Sequence, residues 1–198
     1  MDDLETLLRF WFGDAATDDA AAARRIATWF EASDGFDAAC RGTFADWPDR
    51  ARRGDFAAWQ GSPRGALALA LTLDQLPRNL FRGTARAFAY DGAAVDAATA
   101  AVERGFDRAL APVEASFLYL PFEHAESPAL QERSVALFEA LHARAPAALA
   151  TAFAGFADYA RRHRDVIARF GRFPHRNAAL GRASTADELA WLADGNGF

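Results

Sequence analysis

The chain has 198 residues and a formal net charge of −5, with seventeen Phe, five Trp and a single Cys. That length suits one domain with a sizeable aromatic core. The acidic balance argues against a nucleic-acid binder, and one cysteine excludes an internal disulfide or a multi-Cys metal centre. No lysine occurs, and Ala far outnumbers the five Val and two Ile, a balance that favours helix because β-branched residues are the ones enriched in strands. The N-terminus lacks the basic and long apolar runs of a signal peptide, and no stretch is long and charge-free enough for a membrane span. The expectation is a single all-α domain over 1–198, ending in a short tail at 195–198, located in the cytoplasm.

The first predicted helix covers 2–12, with Leu4, Leu7, Leu8 and Trp11 at helical spacing and Gly13 as its stop. A second begins at Asp18 or Asp19, carries Ile26, Trp29 and Phe30, and ends by Gly35. A third spans about 36–47 up to Pro48, and 49–59 reads as a short charged helix weakened by Gly54. In 65–76, Leu67, Leu69, Leu71 and Leu73 alternate like a strand. Ala and Leu are strong helix formers, however, and a helix apolar all round is a buried one, so a central helix is expected.

Asp91 opens the next helix, and 112–120 follows, with Pro121 expected to disturb its end. Ser127-Pro128 reads as N-cap and first helical position of a helix reaching His142. In 146–170 a single face of Leu149, Phe153, Phe156, Ala160, His163, Ile167 and Phe170 ends at Gly171. Thr185-x-x-Glu188 forms a capping box for the last helix.

Polar residues gather at three junctions. Leu76-Pro77-Arg78-Asn79 and Phe173-Pro174-His175-Arg176-Asn177 echo one another, each with a second arginine (Arg82, Arg182) a few residues on. If each proline starts a helix, free N–H groups and arginines would make an anion pocket of Arg78, Asn79, Arg82, Arg172, Arg176 and Asn177. The alternative is purely structural: the arginines pair with Asp74, Glu123 and Glu126, since buried charges need partners. Glu123 and His124 are candidates for proton transfer, as are His163, on an apolar helix face, and His175. No metal-ligand spacing, serine-nucleophile elbow, phosphate loop or dinucleotide fingerprint is present, and no cofactor or metal is expected.

Three segments occur in order: Leu73-Asp74-Gln75-Leu76-Pro77-Arg78-Asn79-Leu80-Phe81-Arg82-Gly83, Tyr119-Leu120-Pro121-Phe122-Glu123-His124-Ala125-Glu126, and Phe170-Gly171-Arg172-Phe173-Pro174-His175-Arg176-Asn177. With Phe10-Trp11-Phe12-Gly13 and Leu180-Gly181-Arg182-x-Ser184-Thr185, they resemble the bacterial domain-of-unknown-function family 924 over nearly the whole chain. The resemblance implies a helical array similar to tetratricopeptide repeats and carries no activity with it. Ala125 departs from it, standing where the resemblance implies a serine. Two functions are in contention: a small anionic-ligand site with catalysis open, and a helical module binding a peptide or protein. Self-association through an aromatic face is a third. Substrate, reaction and oligomeric state are not encoded in readable form.

Overall fold

The computed structural model describes residues 2–30 and 33–197. Phe198, part of the expected tail, lies outside the described residues, as do Glu31 and Ala32 between the second and third helices. The described residues are helical with no strand. The helices are α1 (Asp3–Phe12), α2 (Asp19–Phe30), α3 (Asp34–Phe44), α4 (Trp47–Arg52), α5 (Pro63–Ala70), α6 (Leu76–Leu80), α7 (Asp91–Glu103), α8 (Pro112–Glu123), α9 (Pro128–Ala143), α10 (Ala150–Phe170) and α11 (Ala186–Ala193).

The alternating Leu segment is a helix, and burial explains its pattern. Leu67, Leu69, Leu71 and Leu73 are all buried, because α5 is covered by α1, α7 and α8. Its start is pressed against the backbone at Trp59, where a Cβ on Gly65 would lie 2.1 Å from the Trp59 carbonyl oxygen, so only glycine fits. The run does not stop at Pro77. A π-helical turn over Leu71–Gln75 joins α5 to α6, and Pro77 sits in the first turn of α6. A π turn widens the backbone, and such turns recur at functional sites. Here Thr72 Oγ1 donates to Ala68 O at 2.7 Å and Arg78 Nη1 to Asp74 O at 2.8 Å, so side chains tie down the loosened ladder.

Two other prolines behave differently from expectation. Pro121 lies inside α8, which continues to Glu123 and so carries Glu123 and His124 to a helix end. Pro174 opens only the 3-10 turn Pro174–Arg176, so neither echoing proline starts a helix with a free N-terminus available to an anion. Ser127 occupies the N-cap of α9, but its hydroxyl accepts no backbone bond. Thr185 and Glu188 form the expected reciprocal capping box, and Gly171 (φ +69°) ends α10 in the left-handed region.

The N-terminal aromatics set the position of α2. Arg25 Nε and Trp29 Nε1 donate to Trp11 O at 2.6 and 2.9 Å, occupying a carbonyl left over at the end of α1. Trp29 then packs edge-on against Phe117 of α8 at 5.0 Å between centroids, and Phe30 stacks on the same ring at 5.8 Å. Phe30 is thereby held beside α8 although 44% exposed.

Candidate functional site

A cavity of about 360 Å³ opens where α2, the π turn, α6, the end of α8, α10 and the 173–179 segment meet. Glu123, His124, His163 and His175 all line it, together with Arg78, Asn79, Arg82 and Arg176. Two sequence neighbours reach it because α8 ends there. Gln131 Nε2 donates to Glu123 O at 2.7 Å and Ala125 O at 2.8 Å, fixing the turn that presents His124.

His124 Nδ1 lies 2.8 and 3.0 Å from the two carboxylate oxygens of Asp74, which is fully buried. A carboxylate only accepts, so Nδ1 carries the proton and Nε2 is the bare nitrogen of the neutral ring. Gln75 Nε2 donates to Asp74 Oδ2 at 2.6 Å, and Arg78 Nη1 is 3.2 Å from Asp74 Oδ1. Burial resists ionisation of Asp74, but Arg78 and His124 together hold its carboxyl well below the usual carboxylate range. Burial pushes His124 below its ordinary value, with Arg78 acting in the same direction.

His163 donates from Nδ1 to Tyr159 O at 3.0 Å, one helical turn back, which leaves its Nε2 as the bare nitrogen. Burial, then His124, lowers its pKa to about 2. Its ring centroid is 6.2 Å from that of His124. Glu123 is 3% exposed, and Oε1 lies 3.7 Å from His163 Nδ1, beyond hydrogen-bond length. No arginine pairs with Glu123 among the described residues, and burial plus the nearby Asp74 charge push its pKa up to about 8. His175 is lowered to about 4 by burial and then by Arg176. At neutral pH the cavity therefore presents a carboxylic acid beside neutral imidazoles.

The arginines are largely spoken for, by partners that sequence reasoning did not name. Arg78 makes a two-bond contact with Asp91 at 2.9 and 3.2 Å. Arg82 grips Asp37 at 2.8 and 2.9 Å. Arg176 donates Nη1 to Asp91 at 3.2 Å and lies between the Phe88 and Phe173 rings. It is 5% exposed, its buried Nε has no hydrogen-bond partner among the described residues, and burial lowers its pKa to about 10. Arg176 is thus still a cation at neutral pH, with donor capacity to spare. Asn79 donates to Gln75 O at 3.4 Å, a helix-internal contact.

Arg172 and Asn177 are not part of the cavity lining. Arg172 donates to both Glu188 oxygens at 2.6 and 2.8 Å, and Asn177 Nδ2 to Ser184 Oγ at 3.0 Å. Glu126 accepts from Arg182 at 2.7 and 2.9 Å and from Phe173 N at 2.8 Å. These residues form a clasp holding 173–188 against the turn between α8 and α9. Asp74 lies against Arg78 and Glu126 against Arg182, whereas Glu123 has no such arginine among the described residues. Sequence reasoning missed Asp91, Asp37, Trp29, Phe30 and Tyr159. Only Tyr159 carried a local signal, lying one turn before His163. Among the described residues no group of His, Cys, Asp and Glu is arranged to hold a metal ion, and no helix is long and apolar enough to cross a membrane.

Comparison with curated proteins gave no match. A solved structure of a protein of unknown function from Agrobacterium tumefaciens is similar, at 36% identity and a TM-score of 0.81 over 97% of each chain. The sequence model for bacterial proteins of unknown function, DUF924, matches residues 7–196, and the chain belongs to that family.

Proposed function

We propose that the cavity binds a small molecule through one polar or anionic group and exchanges protons with it. Glu123 is the acid and Asp74-oriented His124 the base. The observation that carries this reading is Glu123: a buried carboxyl 3.7 Å from a neutral histidine, with no arginine to neutralise it among the described residues. Asp74, Asp91, Glu126 and Glu188 each pair with an arginine, and buried Asp107, without one among the described residues, accepts from the Tyr119 hydroxyl at 2.7 Å. Environments that push an acid up and a base down assign the two halves of a proton transfer at neutral pH. Nδ1–H donation to Asp74 fixes the His124 tautomer, which leaves Nε2 as the accepting atom. Arg176, a cation that lines the cavity, is the group we assign to an anionic end of the ligand. Since Arg78 and Arg82 are matched by Asp74, Asp91 and Asp37, the attraction is directional and not a matter of net charge.

The completed pairs favour a structural role for Arg172, Asn177, Arg182 and Glu126. The finer fold reading, a tetratricopeptide-like arrangement, is supported by α8, α9 and α10, consecutive helices with short connections that pack on one another. We place no peptide in the cavity. A reducing, cytoplasmic compartment, in which buried Cys40 stays a thiol, belongs to the same proposal.

Thermal shifts with acetate, butanoate and inorganic phosphate test this reading. A stabilisation by at least one probe is expected near neutral pH, fading as pH rises through about 8 and Glu123 ionises. Arg176→Ala and Glu123→Gln, each compared with its own ligand-free transition, are expected to lose it. Equal shifts in the wild type and both variants, or no shift with any probe at millimolar concentration, would overturn the proposal.

A further inference from the structure

The polar cavity is not the only space at Glu123. A second cleft of about 300 Å³ adjoins it and shares Phe30, Leu120, Glu123 and Tyr159 as wall. Its remaining lining is almost wholly apolar, including Ile26, Phe138 and Phe156. The helices explain the shape. Ser116, Leu120 and Glu123 fall at i, i+4 and i+7 along one face of α8 and form a floor about 10 Å long, at about 1.5 Å per residue. Ile26 and Phe30, one turn apart on α2, make one side; Gly155 and Tyr159, one turn apart on α10, make the other, and His163 continues that row into the polar cavity. Gly155 lines the groove without a side chain, and a Cβ built there meets nothing within 4 Å, so the space beside it is open. Ser116 donates its hydroxyl to Val113 O at 2.7 Å, so the floor offers no spare donor. Phe30 and Tyr159, two of the few large apolar residues left exposed, border both compartments.

We infer that the ligand is an amphipathic small molecule: a polar end at Glu123, His124 and Arg176, and an unbranched hydrocarbon group lying along α8 between α2 and α10. The inference rests on the acid–base reading for events at the polar end, and on the groove alone for the hydrocarbon. At about 30 Å³ per heavy atom, the second cleft accommodates roughly eight to ten carbons. Glu123 stands where the two compartments meet, so an acyl-type chain brings its functional group to the acid.

Calorimetric titration with butanoate, octanoate, dodecanoate and octanol tests this. Each buried methylene adds about fourfold to affinity, so binding is expected to strengthen steeply from butanoate to octanoate and to level off toward dodecanoate. Gly155→Leu is expected to abolish that gain. A Cβ at Gly155 meets nothing within 4 Å, and leucine is the better helix former, so the variant should fold and melt at least as high as the wild type. Equal affinity for butanoate and octanoate, or an unchanged gain in Gly155→Leu, overturns the inference. So does a dimer that Gly155→Leu dissociates without altering octanoate binding, since the groove would then be a self-association face. Octanol separates the two readings. If it binds and responds to Gly155→Leu while Glu123→Gln changes no ligand, the hydrocarbon groove stands and the acid–base reading falls. Short-chain binding that depends on Glu123 but not on chain length gives the converse.

Discussion

The segments 76–83 and 173–182 look alike in sequence, yet their arginines reach different ends. In the clasp, Arg172, Arg182, Asn177, Glu126 and Glu188 satisfy one another, and the assembly is closed. At the cavity, Arg78 and Arg176 share Asp91, Arg176 Nε has no partner among the described residues, and Glu123 faces a histidine at a distance too long for a hydrogen bond. Composition is therefore a poor guide to which cluster is a site. Completeness of pairing is the better one, because a buried polar group left open costs stability and persists where something else recovers that cost.

The largest effect should come from the carboxylate shared at the cavity. Among the described residues, Asp91→Ala leaves Arg176 with no carboxylate in ion-pair range and Arg78 with Asp74 alone. Removing one member of a buried ion network costs about 3–5 kcal/mol, so urea unfolding should show a loss of at least about 3 kcal/mol. Replacing Arg172 in the clasp should cost clearly less, since that side chain is 28% exposed and its loss admits water to Glu188. If both variants unfold at the same denaturant concentration, the two clusters are energetically alike and pairing completeness loses its meaning here.

Much of the architecture could be read directly. Helix identity followed from Ala and Leu content, and the Thr185–Glu188 box and the Gly171 stop are local signals that need no tertiary information. The two prolines 77 and 174 misled for a physical reason: Pro77 continues a helix after a π turn and Pro174 opens a 3-10 turn, yet both share the one-letter pattern of proline at a first helical position. Glu123, His124, His163, His175, Arg78 and Arg176 stand out in the sequence one by one as candidates, and it takes the packing of α8, α10 and the 173–179 segment to bring them to one cavity. Asp91 does not stand out, because its distance of 85 residues from Arg176 leaves no local trace, and it reads only as an acidic helix start. Asp37, 45 residues from Arg82, is likewise beyond any local signal.

pH should separate the two ends of the cavity with intermediate effect. Glu123 has a folded pKa of about 8 against about 4.3 unfolded, so the native state holds the extra proton between these values. Its contribution to stability is complete below about pH 4.3 and is lost as pH rises through about 8. His163, lowered to about 2 from an unfolded value near 6.5, works in the opposite direction. Its contribution is complete above about pH 6.5 and is lost as pH falls below that value. Melting temperature should thus fall on both sides of a window from about pH 4.3 to 6.5 where these two groups dominate. Glu123→Gln should flatten the alkaline side and start the acid fall at about pH 6.5, whereas His163→Gln should flatten the acid side and start the alkaline fall at about pH 4.3. A Glu123→Gln profile that parallels the wild type between about pH 5 and 8 would mean the carboxyl is solvated and the acid role untenable.

The smallest effect contrasts two helix starts with the same type of residue, one beside each cluster. Thr185 Oγ1 accepts from Glu188 N at 3.2 Å, while Glu188 Oε2 accepts from Thr185 N at 2.7 Å, so this cap also holds the carboxylate that receives Arg172. Ser127, just past His124 and Glu126, has the extended backbone of an N-cap and Pro128 behind it, but no side-chain bond to the helix. Removing a working cap costs typically about 1 kcal/mol, so Thr185→Ala should lower stability by about that much. Ser127→Ala should change it by less than about 0.5 kcal/mol, the range of surface substitutions away from any special contact. The same pair of variants bears on the cavity. The turn at Ser127 is held from below by Gln131, not by its own hydroxyl, so Ser127→Ala should leave the His124 titration measured by NMR where it was. A shift of that titration in Ser127→Ala, or an equal loss of stability in both variants, would show that the hydroxyl supports the His124 turn and that Gln131 alone does not hold it.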